Sequence, residues 1–222
     1  MSKLYFRHGA MNAGKTLALL QVAHNYDEQA HRVLIFTPTI DDRYGQGQVA
    51  SRLGLQREAT SFDPETDFYA QGVIAAADSI SCILVDEAQF LTSSQVRALH
   101  QVAHILNVPV IAYGIRSDFK GEPFPGAVML LTLADDIEEL KTICKCGRKA
   151  TMNLRIGADG LPLKDGAQVE IGGNGRYRQV CPRCFYQEIG ETSEMAANNP
   201  LCECGVCKPN TTFDTRMILC AT

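Results

Sequence analysis

Residues 9 to 16, Gly9-Ala10-Met11-Asn12-Ala13-Gly14-Lys15-Thr16, match the pattern G-x-x-x-x-G-K-[ST] at every fixed position. This loop constrains the fold strongly, because it holds phosphate when a strand precedes it and a helix follows. Both neighbours are predicted. The apolar run Leu4-Tyr5-Phe6 lies upstream, and Lys15 to Glu28 lies downstream with Leu17, Leu20 and Ala23 or His24 on one helical stripe. In that setting Gly9 and Gly14 allow a tight curve, and main-chain N–H groups together with the helix dipole converge on phosphate oxygens. Lys15 is expected to reach the β- and γ-phosphates and the Thr16 hydroxyl to ligate Mg²⁺.

The neighbouring segments agree with such a fold. Val33-Leu34-Ile35-Phe36, Cys82-Ile83-Leu84-Val85 and Val108-Pro109-Val110-Ile111 read as strands buried on both faces, hence candidates for a parallel sheet. A helix is expected from Thr92 to Leu106, opened by a Thr92-x-x-Gln95 capping box. Alternating strands and helices predict an α/β domain. Two stretches interrupt the pattern and are read as long loops of the kind that carry function: Thr39 to about Thr60, and Ser117 to Gly126.

Composition narrows the function classes. The 222 residues are 45% hydrophobic, enough to bury a core in one or two domains. A formal net charge of -4 disfavours a broad nucleic-acid-binding surface. No apolar run is long enough to span a membrane, and Met1-Ser2-Lys3 leads into the first strand without a signal-peptide core, so a cytoplasmic protein is expected. Nine cysteines, an odd number, suit metal ligands plus free thiols in a reducing compartment better than a disulfide framework.

The strand Cys82 to Val85 delivers Asp86 and Glu87 to its C-terminal end, where open α/β sheets bind ligands. Asp86 is expected in the Mg²⁺ shell. Successive strand residues face opposite ways, which leaves Glu87 available to take a proton from whatever attacks the γ-phosphate. Water as the attacker makes an NTPase or helicase; a small hydroxyl makes a kinase. A P-loop NTPase acting on nucleic acid through a zinc-ribbon module is the alternative reading.

Five ordered motifs across residues 3 to 188 resemble the type II thymidine kinases, particularly the bacterial ones. They are Gly9 to Thr16 with Met11 inside the loop, Asp41-Asp42-Arg43-Tyr44, Asp86-Glu87-Ala88-Gln89-Phe90, Tyr113 to Phe119 with Pro123-Phe124, and Ile171 to Tyr177. The resemblance implies a RecA-like P-loop domain and transfer of the ATP γ-phosphate to the 5′-hydroxyl of thymidine, giving dTMP and ADP in nucleotide salvage for DNA synthesis. It implies that Glu87 is the general base, that Asp86 and Gln89 are nucleotide-side contacts, that Arg43 lies near the transferred phosphate and that Asp41 touches the sugar. Met11, Phe90, Ile115, Phe119 and Phe124 fall on positions that enclose thymine, although each taken singly also suits ordinary core. Gln168 to Tyr177 resembles the family's lasso over the base. Gly172, with Gly173 and Gly175, frees the backbone for close approach, and Tyr177 is placed on the sugar side; an exposed glycine loop is the bland alternative. The resemblance also implies a homotetramer and feedback inhibition by dTTP; the charge and the short apolar runs lead to the expectation of no nucleic-acid or membrane partner.

Cysteine placement divides the chain. Only Cys82 precedes position 140. Cys144-x-Cys146 and Cys181-x-x-Cys184 form two pairs suited to a tetrahedral structural zinc, the second with familiar spacing and the first with an unusual one-residue gap that the resemblance supports. Buried or free thiols remain open on spacing alone. Residues 1–140 are therefore expected to form the ATP-binding domain, 141–188 a zinc-binding, lasso-bearing domain of short strands without a hydrophobic core, and 189–222 a flexible tail. Between 141 and 186, nine Lys and Arg against three acids leave +6, and -10 for the remainder, so a basic segment coincides with the zinc-held part. Cys202, Cys204, Cys207 and Cys220 in the tail depart from the family pattern, read as oxidisable thiols and receive no function.

Overall fold

The computed structural model describes residues 1–41, 45, 47–169 and 176–190. The expected strand, loop and helix are present as β1 (Leu4–His8), the phosphate loop and α1 (Lys15–Glu28). They are followed by β2 (Val33–Pro38), β3 (Gln48–Ala50), β4 (Gln56–Glu58), β5 (Thr60–Phe62), α2 (Phe68–Ala77) and β6 (Cys82–Val85). A 3-10 turn (Ala88–Phe90) leads to α3 (Ser93–Ile105), β7 (Val110–Gly114), α4 (Pro125–Leu133) and β8 (Asp136–Glu139). Six strands make one sheet in the order β5-β2-β6-β7-β1-β8, and every pairing is parallel. The strand that feeds the phosphate loop and the strand that ends at Asp86 are thus separated by β7, and all three open at the same edge.

Burial on both faces explains why these strands read as continuous apolar runs. Phe6, Phe36, Ile83 and Val85 point into a core shared with α2, α3 and α4, through Phe68, Leu99, Val102 and Leu130. Ile35, Cys82, Leu84 and Tyr113 point to the other side, against Leu19, Leu20 and Ala23 of α1. The buried stripe of α1 is therefore Leu19, Leu20 and Ala23, while His24 is exposed and Leu17 turns toward a cavity. The Thr92 capping box forms as expected: Thr92 Oγ1 accepts from Gln95 N at 3.2 Å, and Gln95 Oε1 accepts from Thr92 N at 2.9 Å.

Three expectations about the loops and strand limits of this part need correction. The stretch 39–60 is not one loop, since β3 and β4 pair antiparallel within it, with Ser51 N donating to Leu55 O at 2.7 Å across their turn. Residues 117 to 124 are a loop as expected, tightened by Asp118 Oδ1 accepting from the Lys120 and Glu122 main chains, but its end is not: Pro125 and Gly126 already belong to α4, where the missing N–H of Pro125 is no loss. The seventh strand begins at Val110 rather than Val108, because Pro109 lacks an N–H, though its carbonyl still accepts from Ile83 N at 2.9 Å.

Beyond β8 the sheet gives way to short pairs, β9 (Thr142–Ile143) with β10 (Lys149–Ala150) and β11 (Met152–Arg155) with β12 (Tyr177–Val180), followed by α5 (Pro182–Ile189). A small apolar cluster does exist here, contrary to expectation. Ala150, Leu154, Val180, Phe185 and Ile189 pack around Cys144, Cys181 and Cys184, because α5 lays its Phe185 and Ile189 face over the β11–β12 pair. Arg43 and Gly172, most of the Asp41 to Tyr44 motif, most of the lasso and the tail cysteines lie outside the described residues.

Candidate active site

The open ends of β1, β6 and β7 meet at a cavity of about 310 Å³, within the range of small-molecule sites. Its floor is the phosphate loop. Gly14 sits at φ 79°, ψ 19°, a left-handed conformation that opens α1 and favours glycine. Gly9 has a different reason to be glycine: a Cβ there would lie 2.4 Å from the Leu140 carbonyl oxygen, where the chain leaves β8. Lys15 Nζ donates to the Gly9 and Ala10 carbonyl oxygens at 3.1 and 3.0 Å, which folds the ammonium back over the loop where phosphate oxygens would enter. Met11, Asn12, Gly14, Lys15 and Thr16 all line the cavity, while Ala10 is buried beneath it.

Asp86 is held at the end of β6 by its N–H, which donates to Phe36 O at 2.9 Å, and its side chain is buried against Thr16, whose Oγ1 donates to Oδ2 at 3.1 Å. Burial, together with the neighbouring Glu87 carboxylate, pushes Asp86 up to about 7. A hydroxyl and a buried carboxylate side by side are the hard oxygen donors Mg²⁺ prefers, and a cation between them would offset the cost of that burial, so the residues fit the ion.

Glu87 reaches the cavity by a route other than strand alternation. Its backbone is left-handed, φ 46° and ψ 43°, where β6 breaks into the 3-10 turn. Such a conformation is uncommon for a residue with a Cβ and often marks a functional position. Gln89 holds the carboxylate in place: its Nε2 donates to Glu87 Oε2 at 2.7 Å and its Oε1 accepts from Ile115 N at 3.2 Å. Gln89 lines the cavity, as expected of a ligand contact, yet protein engages both ends of its amide.

The walls opposite the phosphate loop are apolar. Phe90 and Phe124 meet edge to face at 5.8 Å, and Ile115 and Phe119 complete the enclosure with Met11. Asp41 lies at the rim, beside the turn from Ala50 to Leu53 that joins β3 to β4. Tyr177, Gln168 and Val169 close the side furnished by the cysteine-bearing region.

Two contributors escaped sequence reasoning. Along β11, Leu154 faces the small apolar cluster while Asn153 and Arg155 face the cavity side, both buried. Asn153 Oδ1 accepts from Met11 N of the phosphate loop at 2.8 Å, and Asn12 Nδ2 donates to Gln179 Oε1 of β12 at 2.8 Å. The available signal was the alternation Met152-Asn153-Leu154-Arg155-Ile156, two polar residues on one face of an otherwise apolar strand.

Cys144, Cys146, Cys181 and Cys184 come together with their sulfurs all within 4.8 Å of one another. Cys144 and Cys146 sit on a turn closed by Cys144 N donating to Arg148 O at 2.8 Å, and Cys181 and Cys184 sit at the start of α5. A tetrahedral ion with four Zn–S bonds of 2.3 Å sets sulfurs about 3.8 Å apart; Cys146 and Cys181 are already at 3.6 Å. The Arg148 main-chain N–H draws Cys146 down to about 6, and burial, with the sulfurs around it, pushes Cys184 up to about 12. Four sulfurs crowded this closely suit the tetrahedral shell of one zinc.

Sequence comparison agrees with this geometry. The profile of the family described as "Thymidine kinase" matches residues 2–185. Proteins named thymidine kinase from Chromobacterium violaceum, Idiomarina loihiensis and Coxiella burnetii are 54%, 50% and 50% identical, over 85%, 86% and 83% of this chain and 100%, 99% and 95% of theirs. A Pif1 helicase structure from Candida albicans aligns with a TM-score of only 0.38 at 12% identity, over 64% of this chain and 36% of its own.

Proposed function

The chain belongs to the thymidine kinase family, and on that premise we propose that it transfers the γ-phosphate of ATP to the 5′-hydroxyl of thymidine. The observation that carries this reading is the meeting, in one cavity, of a phosphate loop, a left-handed carboxylate and a box of aromatic walls.

Each residue then has a task. The 5′-oxygen forms a bond to the γ-phosphorus as the bond from phosphorus to the β,γ-bridging oxygen breaks, and Glu87 accepts the hydroxyl proton. Gln89 keeps the Glu87 carboxylate aimed, through its bond to Ile115. Lys15 turns from the Gly9 and Ala10 carbonyls to the β- and γ-phosphate oxygens, and the amides from Gly9 to Thr16 cradle the triphosphate. Thr16 and Asp86 hold Mg²⁺, which offsets charge on the phosphates when bound. Met11, Phe90, Ile115, Phe119 and Phe124 enclose the base, Asp41 and Tyr177 stand on the sugar side, and Arg43 serves the transferred phosphate. Gly172 belongs to the lasso over the base. Zinc on Cys144, Cys146, Cys181 and Cys184 is structural.

The family resemblance supports a cytoplasmic homotetramer inhibited by dTTP at the acceptor site, with residues 1–140 and 141–188 as its two domains. The chemistry is tested by incubating the zinc-loaded protein with Mg·ATP and thymidine. The expected products are dTMP and ADP in equal amounts, with turnover about a hundredfold to ten-thousandfold lower in Glu87→Gln. ADP formed at the same rate with thymidine left untouched contradicts the proposal.

A further inference from the structure

Arg155 heads the large, fully buried side chains among the described residues, at 2% exposure, in a region whose apolar cluster is small. A guanidinium keeps its charge at every accessible pH, so its burial is tolerable only where its donors and its π face are met. Here the partners are the walls of the acceptor cavity. Arg155 Nε donates to the Tyr177 hydroxyl at 2.7 Å, and two further N–H groups donate to Ala167 O at 2.8 Å and Gln168 O at 3.2 Å. The guanidinium carbon lies 4.0 Å from the centroid of the Phe119 ring, within cation–π range.

Those four partners come from three separate pieces of chain: the turn after β7, the segment leading into the lasso, and β12. The first two have little regular structure of their own, and Gln168, Phe119 and Tyr177 all line the cavity. Arg155 sits behind them and does not line it. A planar group with a fork of donors and two stacking faces can fix a ring, a hydroxyl and two carbonyls together; an ammonium cannot.

We infer that Arg155 is the positioning residue of the acceptor pocket, the one side chain that sets Phe119, Tyr177 and the base of the lasso at the spacing a nucleoside requires. It acts through these neighbours and touches neither substrate. This inference rests on the thymidine kinase reading and deepens it. Its signature is asymmetric, because the nucleotide side of the cavity is built from the phosphate loop and Asp86.

The test compares Arg155→Met and Arg155→Lys with wild type, all zinc-loaded, in steady-state assays with thymidine and ATP varied separately. The expected result is a thymidine KM raised about tenfold or more in Arg155→Met, and by a smaller factor in Arg155→Lys. The ATP KM is expected to stay within about twofold in both, with zinc content unchanged. Arg155→Lys keeps charge and most of the volume, so it remains readable if Arg155→Met does not fold. A folded, zinc-loaded variant with unchanged thymidine KM, or with both KM values raised alike, overturns the inference. Wild type that phosphorylates no thymidine overturns instead the reading beneath it, so the two failures are distinguishable.

Discussion

The six-stranded sheet and the cysteine-bearing region are built on different principles. In the sheet, strands such as Cys82–Val85 are buried on both faces and hold their geometry by packing; Asp86 and Glu87 are therefore presented from a rigid edge. Beyond residue 140 the strands are two to four residues long, and among the described residues only Ala150, Leu154, Val180, Phe185 and Ile189 are buried around the thiols. A core of that size stabilises little by itself. The cysteines gather there because a metal site can supply what packing does not. The contrast divides the cavity as well as the fold: the edge of the sheet carries the phosphate loop, Asp86 and the aromatic walls, while the cysteine-bearing region closes one side with Gln168 and Tyr177 and grips the phosphate loop through Asn153 and Gln179.

Breaking each half should give different signatures. The largest effect is expected from replacing Cys181 and Cys184 together with Ser: zinc should fall from about one per chain to none, and residues 141–190 should become protease-sensitive while the sheet persists. Zinc retained in that variant would move the metal elsewhere. Next, Leu84→Ala removes a fully buried side chain between β6 and α1 and should cost about 2–5 kcal/mol in denaturant unfolding whether or not zinc is present. A zinc-dependent cost would mean that the two halves unfold as one unit.

Asn153→Leu sharpens the comparison at the seam. Leaving Met11 N without its acceptor should raise the ATP KM roughly tenfold, about 1.4 kcal/mol, and Asn153→Asp, which keeps an acceptor, should recover most of it. The smallest effect concerns the pair Lys149 and Glu139, 2.6 Å apart between β10 and β8. The hydrogen bond from Lys149 holds the Glu139 carboxyl below its usual range, so the stability it adds is present above the ordinary Glu pKa and is lost as pH falls through the lowered one. Lys149→Met should cost below about 1 kcal/mol at neutral pH and nothing in acid; a cost that persists in acid would point to packing instead.

Legibility in the sequence followed the same division. The phosphate loop, α1, the Asp86-Glu87 pair and the Thr92 cap could be read because each is set by local pattern or by strand burial. The β3–β4 hairpin could not, since Gln56 to Glu58 alternates no apolar residues, and α4 was hidden because Pro125-Gly126 reads as a breaker when it stands in fact at a helix start. Glu87 was placed in the cavity for the wrong local reason: a left-handed turn presents it, not strand alternation. Asn153 and Arg155 were missed because their roles depend on contacts with residues 142 positions earlier and 12 to 36 positions away, which no spacing encodes.

The central claim, that packing alone builds the phosphate side while the acceptor side needs the cysteine-bearing region to complete it, is tested most directly by calorimetric titration of the Cys181→Ser, Cys184→Ser protein with Mg·ATP and, separately, with thymidine. The account predicts that thymidine binding disappears while Mg·ATP affinity stays within about tenfold of wild type, the residual loss being that of the Asn153 contact. Thymidine bound as tightly as by the zinc-loaded protein, or both ligands lost together, would contradict it.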